Sequence, residues 1–381
     1  MSFTLSAEQE AIREAVREFA ASELEPVARE HDESREYPEE LRRKAADLDL
    51  VAPHIPTEYG GAGMNMISRC LVTEELWRGD PGIGSAISSA GFGTSMILEY
   101  GDEWMKTEWL PQIAAGDAVS CSCISEPAHG SNVAGMETYA EPDDDGYVLN
   151  GNKMWITNGT VADVAVVMAK TDPEAKPPHR GITAFLVPTD RAGFQPTKID
   201  NKLGIRASDL AEIVIDDVHV PEENVIGELN EGFYQLMDFF ASGRTSVAAQ
   251  AVGAAQGALD AAGEYANERE QFGQKIREFQ AIEHKVAEMA TAVEAARSLT
   301  YRAAAHVEGE KDDTAVKLAS MAKLFASEHA VEVADEGLQV HGGAGYVTDH
   351  PAERFYRDAR ITKIYEGTSE IQKNIISERI L

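Results

Sequence analysis

The hydrophobic pattern of this chain changes period twice, and that limits the architectures open to it. Up to about residue 119 apolar side chains recur at helical spacing. Ile12, Val16, Phe19 and Ala20 form a stripe behind Ser6 and Gln9, which are spaced as a capping box. Pro53, Pro56, Gly60, Gly61 and Gly63 predict a loop, after which Leu71 to Trp77 reads as helix again. Beyond residue 120 the runs are short and rich in β-formers: Val119 to Ile124, Tyr147 to Leu149, Met154 to Thr157, Val164 to Ala169, Ile182 to Val187 and Ala211 to Val220. Asp145-Gly146, Asn150-Gly151 and Asn158-Gly159 predict turns between them. From about residue 230 the chain is Ala- and Glu-rich over 232–268, 281–308, 314–340 and 369–380. Those segments are broken at Gly273, Gly309, Gly342, Gly343, Gly345 and Pro351, the pattern of a helix bundle. Three domains are expected: helical over 1–119, an antiparallel β-barrel or sandwich over 120–229, and a helical bundle over 230–381. Alternating βαβ units are missing, which argues against a doubly wound parallel sheet.

Charge excludes several partners. Of 381 residues, 34 are Lys or Arg and 65 are Asp or Glu, a net charge of −31 at pH 7. Nucleic acid and anionic membrane both need a basic face, so neither is expected as a partner. The acids are spread along the chain rather than gathered in a tail. That favours a protein working in high salt, where counterions screen self-repulsion. Cys70, Cys121 and Cys123 are too few and odd in number for a disulfide framework, which suits a reducing cytoplasm. Cys121-x-Cys123 has no second Cys or Cys/His pair of matching spacing, so buried thiols on a strand are expected rather than a metal site. The opening MSFTLSAEQE has no basic n-region followed by an apolar stretch, and no run of 18 apolar residues follows anywhere. A cytoplasmic location is expected.

Common catalytic motifs are missing. There is no phosphate-binding G-x-x-x-x-G-K-[ST], no H-E-x-x-H and no G-x-S-x-G elbow. Gly91-Phe92-Gly93 lacks the third glycine of a dinucleotide fingerprint and reads as a helix-packing turn. Three other segments carry chemical promise. Cys123-Ile124-Ser125-Glu126-Pro127-Ala128-His129-Gly130-Ser131-Asn132 ends a strand with small residues, and it is either a plain strand-to-loop turn or a place where backbone amides approach a phosphate or a flavin ring. Gln339-Val340-His341-Gly342-Gly343-x-Gly345-Tyr346, followed by Asp349, Arg354 and Asp358, sets a Gly-rich loop after a long helix; taken alone, its glycines read as a C-cap and surface loop. Glu366 in Tyr365-Glu366-Gly367-Thr368-Ser369-Glu370 precedes a helix that Thr368 or Ser369 could cap. A carboxylate there is either a general base in an apolar site or an acid favoured by the helix dipole.

Together these segments, with Trp155-Ile156-Thr157 and Arg269-x-x-Phe272-Gly273, resemble the acyl-CoA dehydrogenase flavoprotein family over essentially the whole chain. The stretch from Gly345-Tyr346-Val347-Thr348 through Tyr356-Arg357-Asp358-Ala359-Arg360 to Gln372 is most similar to the short-chain, butyryl-CoA type branch. The resemblance implies FAD as cofactor, an acyl-CoA substrate, a homotetramer built as a dimer of dimers, and electron transfer to an electron-transferring flavoprotein. It implies that Glu366 removes the α-proton of the thioester while the β-hydrogen leaves toward flavin N5. Ser122, Cys123, Ile124, Ser125, Gly130 and Ser131 would lie along the flavin, as would Trp155, Ile156 and Thr157. Arg269, Phe272, Gln280, Gln339, Val340, His341, Gly342 and Gly343 would hold the rest of FAD, partly from a neighbouring subunit. Thr368, Ser369 and Glu370 would close on the flavin. Ser131, Gly243, Arg244, Tyr365 and Gly367 would meet the acyl-CoA.

The pattern departs from the family at a few positions. His129 stands where a small residue is usual, and Asn132 replaces Asp. Ala241 stands where close relatives often have an acid, and Glu378 where a medium-chain relative has an Arg. Gly243 occupies the position from which the isovaleryl and long-chain branches supply their base, which leaves that role to Glu366. The competing functions are an acyl-CoA oxidase or flavin monooxygenase on the same fold, or a non-catalytic binding or assembly protein. An intact Glu366 argues against the monooxygenase, and together with the complete Gly-rich loop against the non-catalytic protein. The acyl chain length and the pathway served are not readable from the sequence.

Overall fold

A computed structural model describes residues 5–308 and 312–381. The expected break at Gly309 lies outside them. The first seven helices are α1 (Ala7–Phe19), α2 (Ala28–Ser34), α3 (Glu39–Ala46), α4 (Met66–Gly79), α5 (Pro81–Ser88), α6 (Thr94–Tyr100) and α7 (Glu103–Ala114). Their starts follow local chemistry. Gln9 N donates to Ser6 Oγ at 3.1 Å and Ser6 N donates to Gln9 Oε1 at 3.0 Å, which completes the capping box of α1. Asn65 caps α4, and Asp80 caps α5 with Pro81 at its first position.

The middle of the chain forms one eight-stranded sheet: β1 (Ser120–Cys123), β2 (Tyr139–Asp143), β3 (Gly146–Thr157), β4 (Val164–Lys170), β5 (Ile182–Pro188), β6 (Phe194–Lys198), β7 (Leu210–Pro221) and β8 (Val225–Ile226). The strand order is β6-β7-β3-β2-β4-β5-β8, with β1 beside β4. Pairing is antiparallel except where β1 and β2 meet β4. Cys121 and Cys123 are buried on β1 as expected. Two expected strands, Tyr147 to Leu149 and Met154 to Thr157, are one strand. Asn150-Gly151 is therefore not a turn. It is an irregularity within β3, where the register against β7 shifts between Leu149 and Gly151. Asn150 stitches that point to β7, donating from Nδ2 to Asp217 Oδ1 at 3.0 Å and accepting from Asp217 N at 2.9 Å. Gly151 is required there, because a Cβ would fall 2.4 Å from Thr138 Oγ1. Asp145-Gly146, by contrast, does begin the return of the β2–β3 hairpin.

The C-terminal part consists of α8 (Gly232–Glu268), a small hairpin of β9 (Glu270–Gln271) and β10 (Gln274–Lys275), α9 (Gln280–Val307), α10 (Asp313–His341), α11 (Ala352–Ala359) and α12 (Ser369–Glu378). The four long helical segments read from the sequence are α8, α9, α10 and α12; the short α11 was hidden between Pro351 and the following charges. Alanines line the buried faces, such as Ala248, Ala251, Ala255, Ala258 and Ala262 on α8, and Ala322, Ala326, Ala330 and Ala334 on α10. They let the long helices approach closely. Buried ion pairs fix α11 against the other two regions. Arg354 Nε reaches Asp80 Oδ2 at 2.8 Å, Arg357 Nη2 reaches Asp32 Oδ2 at 2.7 Å, and Asp358 Oδ1 accepts from Ile205 N at 2.6 Å. The chain leaves α11 from this anchor and runs directly into the Glu366 turn. None of the described helices is long and apolar enough to cross a membrane.

Candidate active site

Glu366 stands in a left-handed turn, with φ of +54°, and Gly367 follows at +88°. Two consecutive residues of this kind are costly unless the surroundings over-determine them. Here they do. Lys323 Nζ on α10 donates to Gly367 O at 2.7 Å. Gln372 Nε2 on α12 donates to Glu366 O at 3.0 Å and to Gly367 O at 2.8 Å. The turn projects the Glu366 carboxylate against α8 at Gly243, where a Cβ would lie 2.7 Å from Oε2. Any side chain at 243 would displace the acid.

Glu366 Oε2 is buried and has no hydrogen-bond partner among the described residues, and neither has the buried Arg244 Nε. Burial pushes the Glu366 carboxyl up to about 7, against the opposing pull of Arg244 and Lys323. Burial also lowers Arg244 to about 10 and Lys323 to about 8, with Glu366 pulling both back up. Arg244 lies over the Phe240 ring, 5.7 Å from its centroid. Tyr365, beside the acid, donates its hydroxyl to Gln250 Oε1. A poised, desolvated acid beside two cations is what a general base acting near neutral pH requires. Thus Gly243, Arg244, Tyr365, Glu366 and Gly367 lie at one place in the structure, where α8 meets the turn before α12.

A second group lies where β1 ends. Met154 N donates to Ser125 O at 2.9 Å, which ties the Ser122–Ser131 segment to β3 just before Trp155. Beneath it, Lys153 Nζ reaches Glu126 Oε1 at 2.9 Å and Ile124 O at 3.3 Å. Glu126 also accepts the amides of Glu137 and Thr138. Above this clamp the Trp155 indole is 59% exposed. Gly130 and Ser131 are exposed, and Ser125 and Thr157 are half-buried. The side chains of Cys123, Ile124 and Ile156 face the core, so only their backbone is available to a ligand. Ser122 is buried too, its hydroxyl 3.4 Å from Phe92 O.

The third group stands apart. Arg269, Phe272 and Gln280 lie on the exposed hairpin beyond α8 and at the start of α9, with Phe272 94% exposed. Gln339, Gly342 and Gly343 are exposed at the end of α10. Val340 and His341 offer only their backbone to a ligand. Both side chains are buried, and His341 stacks on Tyr265 with its Nδ1 2.8 Å from Gly337 O. Ser369 is likewise engaged, donating to Glu328 Oε1 at 2.6 Å, while Thr368 caps α12 and Glu370 is exposed. Sequence reading missed Lys323, Gln372, Glu126 and Lys153. The available signal was a lysine inside an alanine stripe, as in Ala319, Ala322, Lys323 and Ala326.

Family models of the N-terminal, middle and C-terminal domains of acyl-CoA dehydrogenase match residues 6–117, 121–218 and 230–381 in turn. The chain is 42% identical to the mitochondrial short-chain specific acyl-CoA dehydrogenase of Sus scrofa, over 97% of this chain and 89% of that one. The chain belongs to the acyl-CoA dehydrogenase family. Butyryl-CoA dehydrogenase from Megasphaera elsdenii superposes with a TM-score of 0.95 at 37% identity, covering all of both chains. A chain from structural work on the electron transferring flavoprotein of Acidaminococcus fermentans superposes at 0.96 with 40% identity, again over all of both. Membership makes the protein a flavin-dependent oxidoreductase whose cofactor is FAD. The second group fits that cofactor, with an exposed Trp155 beside a strand exit of small residues and open space at Gly130 where a Cβ would project; Gly342 and Gly343 of the third group are open in the same way.

Proposed function

We propose that this acyl-CoA dehydrogenase oxidises a short- or medium-chain acyl-CoA, straight or branched, to its trans-2-enoyl-CoA, with Glu366 as the base. The observation that carries this reading is the buried, unpartnered Oε2 of Glu366, held against Gly243 and flanked by Arg244 and Lys323. The α-proton of a thioester is only weakly acidic. Its removal needs a carboxylate kept out of water and a donor for the charge that develops on the thioester oxygen. Glu366 supplies the carboxylate, and its own backbone amide supplies a donor. FAD, when bound, accepts the β-hydrogen and its electron pair. Ser122 to Ser131 and Trp155 to Thr157 hold the ring end of that cofactor, and Thr368 to Glu370 border it from α12. Ser131, Arg244, Tyr365 and Gly367 orient the CoA thioester. Since the base works only when ionised, the rate should rise with pH through about 7 in the free enzyme.

Anaerobic titration with a panel of acyl-CoAs tests the proposal. The yellow protein should bleach with short-chain thioesters, and air should restore its colour only slowly. No bleaching with any acyl-CoA would remove the activity, and rapid reoxidation by oxygen would make the enzyme an oxidase. Electron-transferring flavoprotein is the proposed acceptor, in the cytoplasm.

The third group supports a shared cofactor site. Gly243 and Arg269 are 26 positions apart along α8 and its end, roughly 39 Å at the ~1.5 Å rise of a helix. One FAD lying against Glu366 does not reach the Arg269 of the same chain, so Arg269, Phe272 and Gln280 serve a neighbour in a dimer of dimers. Arg269→Ala should weaken FAD retention by ~1.5–3 kcal/mol, the value of a charge-assisted hydrogen bond to phosphate. Unchanged FAD affinity by equilibrium dialysis would remove Arg269 from the cofactor site.

A further inference from the structure

Lys323 lies in the middle of α10 among alanines, and its side chain is completely buried. A lysine in such a place loses its hydration and must be held by specific partners. Among the described residues its Nζ donates to Gly367 O at 2.7 Å. That carbonyl directly follows Glu366, in the turn whose two left-handed residues aim the carboxylate at Gly243. Gln372 Nε2 grips the same turn at Glu366 O and Gly367 O without any charge. The turn is therefore held twice, once by a neutral amide and once by an ammonium. If holding the backbone were all that was needed, a second neutral donor would serve without burying an ion.

We propose that Lys323 is a positioning residue for the base: it clamps the Glu366–Gly367 turn from α10 and, in its protonated form, sets a positive charge near the Glu366 carboxylate. This inference rests on Glu366 being the base. The charged groups around that carboxylate come from three helices. Arg244 is on α8, and Arg379, at the end of α12, bears on Arg244 in turn. Lys323 and Glu328 are on α10, with Glu328 neutralised by Lys363 and hydrogen-bonded to Ser369. Glu370 is on α12, exposed and therefore screened. Of the two buried cations, Arg244 has an unpartnered Nε left to meet a ligand, whereas Lys323 is turned toward the protein backbone. Lys323 thus acts on the base and not on the substrate.

Two readouts on FAD-loaded enzyme test this. The first follows the protonated carboxyl band of Glu366 by infrared difference spectroscopy, assigned by its loss in Glu366→Gln. The second is the pH profile of single-turnover flavin bleaching. Removing a nearby cation raises a carboxyl pKa, so Lys323→Met should move both midpoints upward by about one pH unit and slow bleaching roughly tenfold on the acid side. Lys323→Gln, which keeps a donor but no charge, should move them as far. Lys323→Arg should restore them. Gln372→Leu should slow bleaching at all pH values and leave the midpoints in place. Midpoints in Lys323→Met and Lys323→Gln that coincide with wild type, or an equal displacement in Gln372→Leu, would overturn the proposal. Failure of the base assignment reads differently: Glu366→Gln itself would then bleach at the wild-type rate.

Discussion

Glu366→Gln is expected to fold, stay yellow and bind acyl-CoA while reducing its flavin about 10²–10⁴-fold more slowly, the usual loss on removing a positioned general base. Gln matches Glu in size, so the contact with Gly243 and the grip of Lys323 and Gln372 on the turn should persist. What disappears is the oxygen that takes the α-proton. Anaerobic single-turnover bleaching isolates this step from product release. Neighbouring acids cannot substitute, since Glu370 is exposed and Asp358 is fixed to Ile205 N in the α11 anchor. A variant that reduces its flavin within about tenfold of wild type would defeat the mechanism, because the change would then fall below the general-base range. Gly243→Glu in the Glu366→Gln background should bring back part of the bleaching, since the close contact at Gly243 is with the flexible end of the 366 side chain, which can swing aside.

The second large effect is expected at Lys153 and Glu126, which are buried together beneath the proposed flavin platform. Burial opposes the charge on Glu126, yet Lys153 and the amides of Glu137 and Thr138 outweigh it and hold the carboxyl below its ordinary value. Burial wins at Lys153, which is lowered in spite of Glu126. Lys153→Met strands the Glu126 carboxylate and should destabilise the enzyme by ~3–5 kcal/mol, the usual cost of breaking a buried pair. The thermal midpoint should fall on the order of 10 °C. Pairing Lys153→Met with Glu126→Gln should recover much of the loss, because no uncompensated ion remains. A Lys153→Met enzyme with wild-type melting would show that the pair bears no stabilising role. The acid side has a defined sign. A carboxyl with a lowered folded pKa stabilises the fold above its unfolded pKa, and that contribution is lost as pH falls through the lower folded value.

Much of this organisation is legible in the sequence because it rests on local rules. The switch from 3.6-residue to 2-residue periodicity marks where the helices give way to the sheet, and the Ser6/Gln9 box starts α1 where expected. Reading fails where long-range contacts override a local signal. Asn150-Gly151 has the composition of a hairpin turn, but Asp217 across the sheet binds Asn150 and keeps β3 continuous. Val340 and His341 stand just before Gly342 and Gly343 in the family pattern, and their position on the inner face of α10 turns both side chains into the core. Glu366 was found through the resemblance; a lone Glu before a helix is otherwise an ordinary first-turn acid. Lys323 and Lys153 were missed for a related reason. What makes them important is a partner 44 residues away in one case and 27 in the other, and single-chain patterns do not register pairings at that distance.

The bare backbone at Gly243 has a historical consequence. Relatives that supply their base from this helix need a side chain there, and in this chain that side chain would collide with Glu366. A protein holding both acids would crowd two carboxylates into one dry pocket, where like charges keep one of them protonated. The two positions therefore compete for one space. On this geometry, moving a carboxylate from the turn to the helix requires the 366 side chain to give way or to change with it.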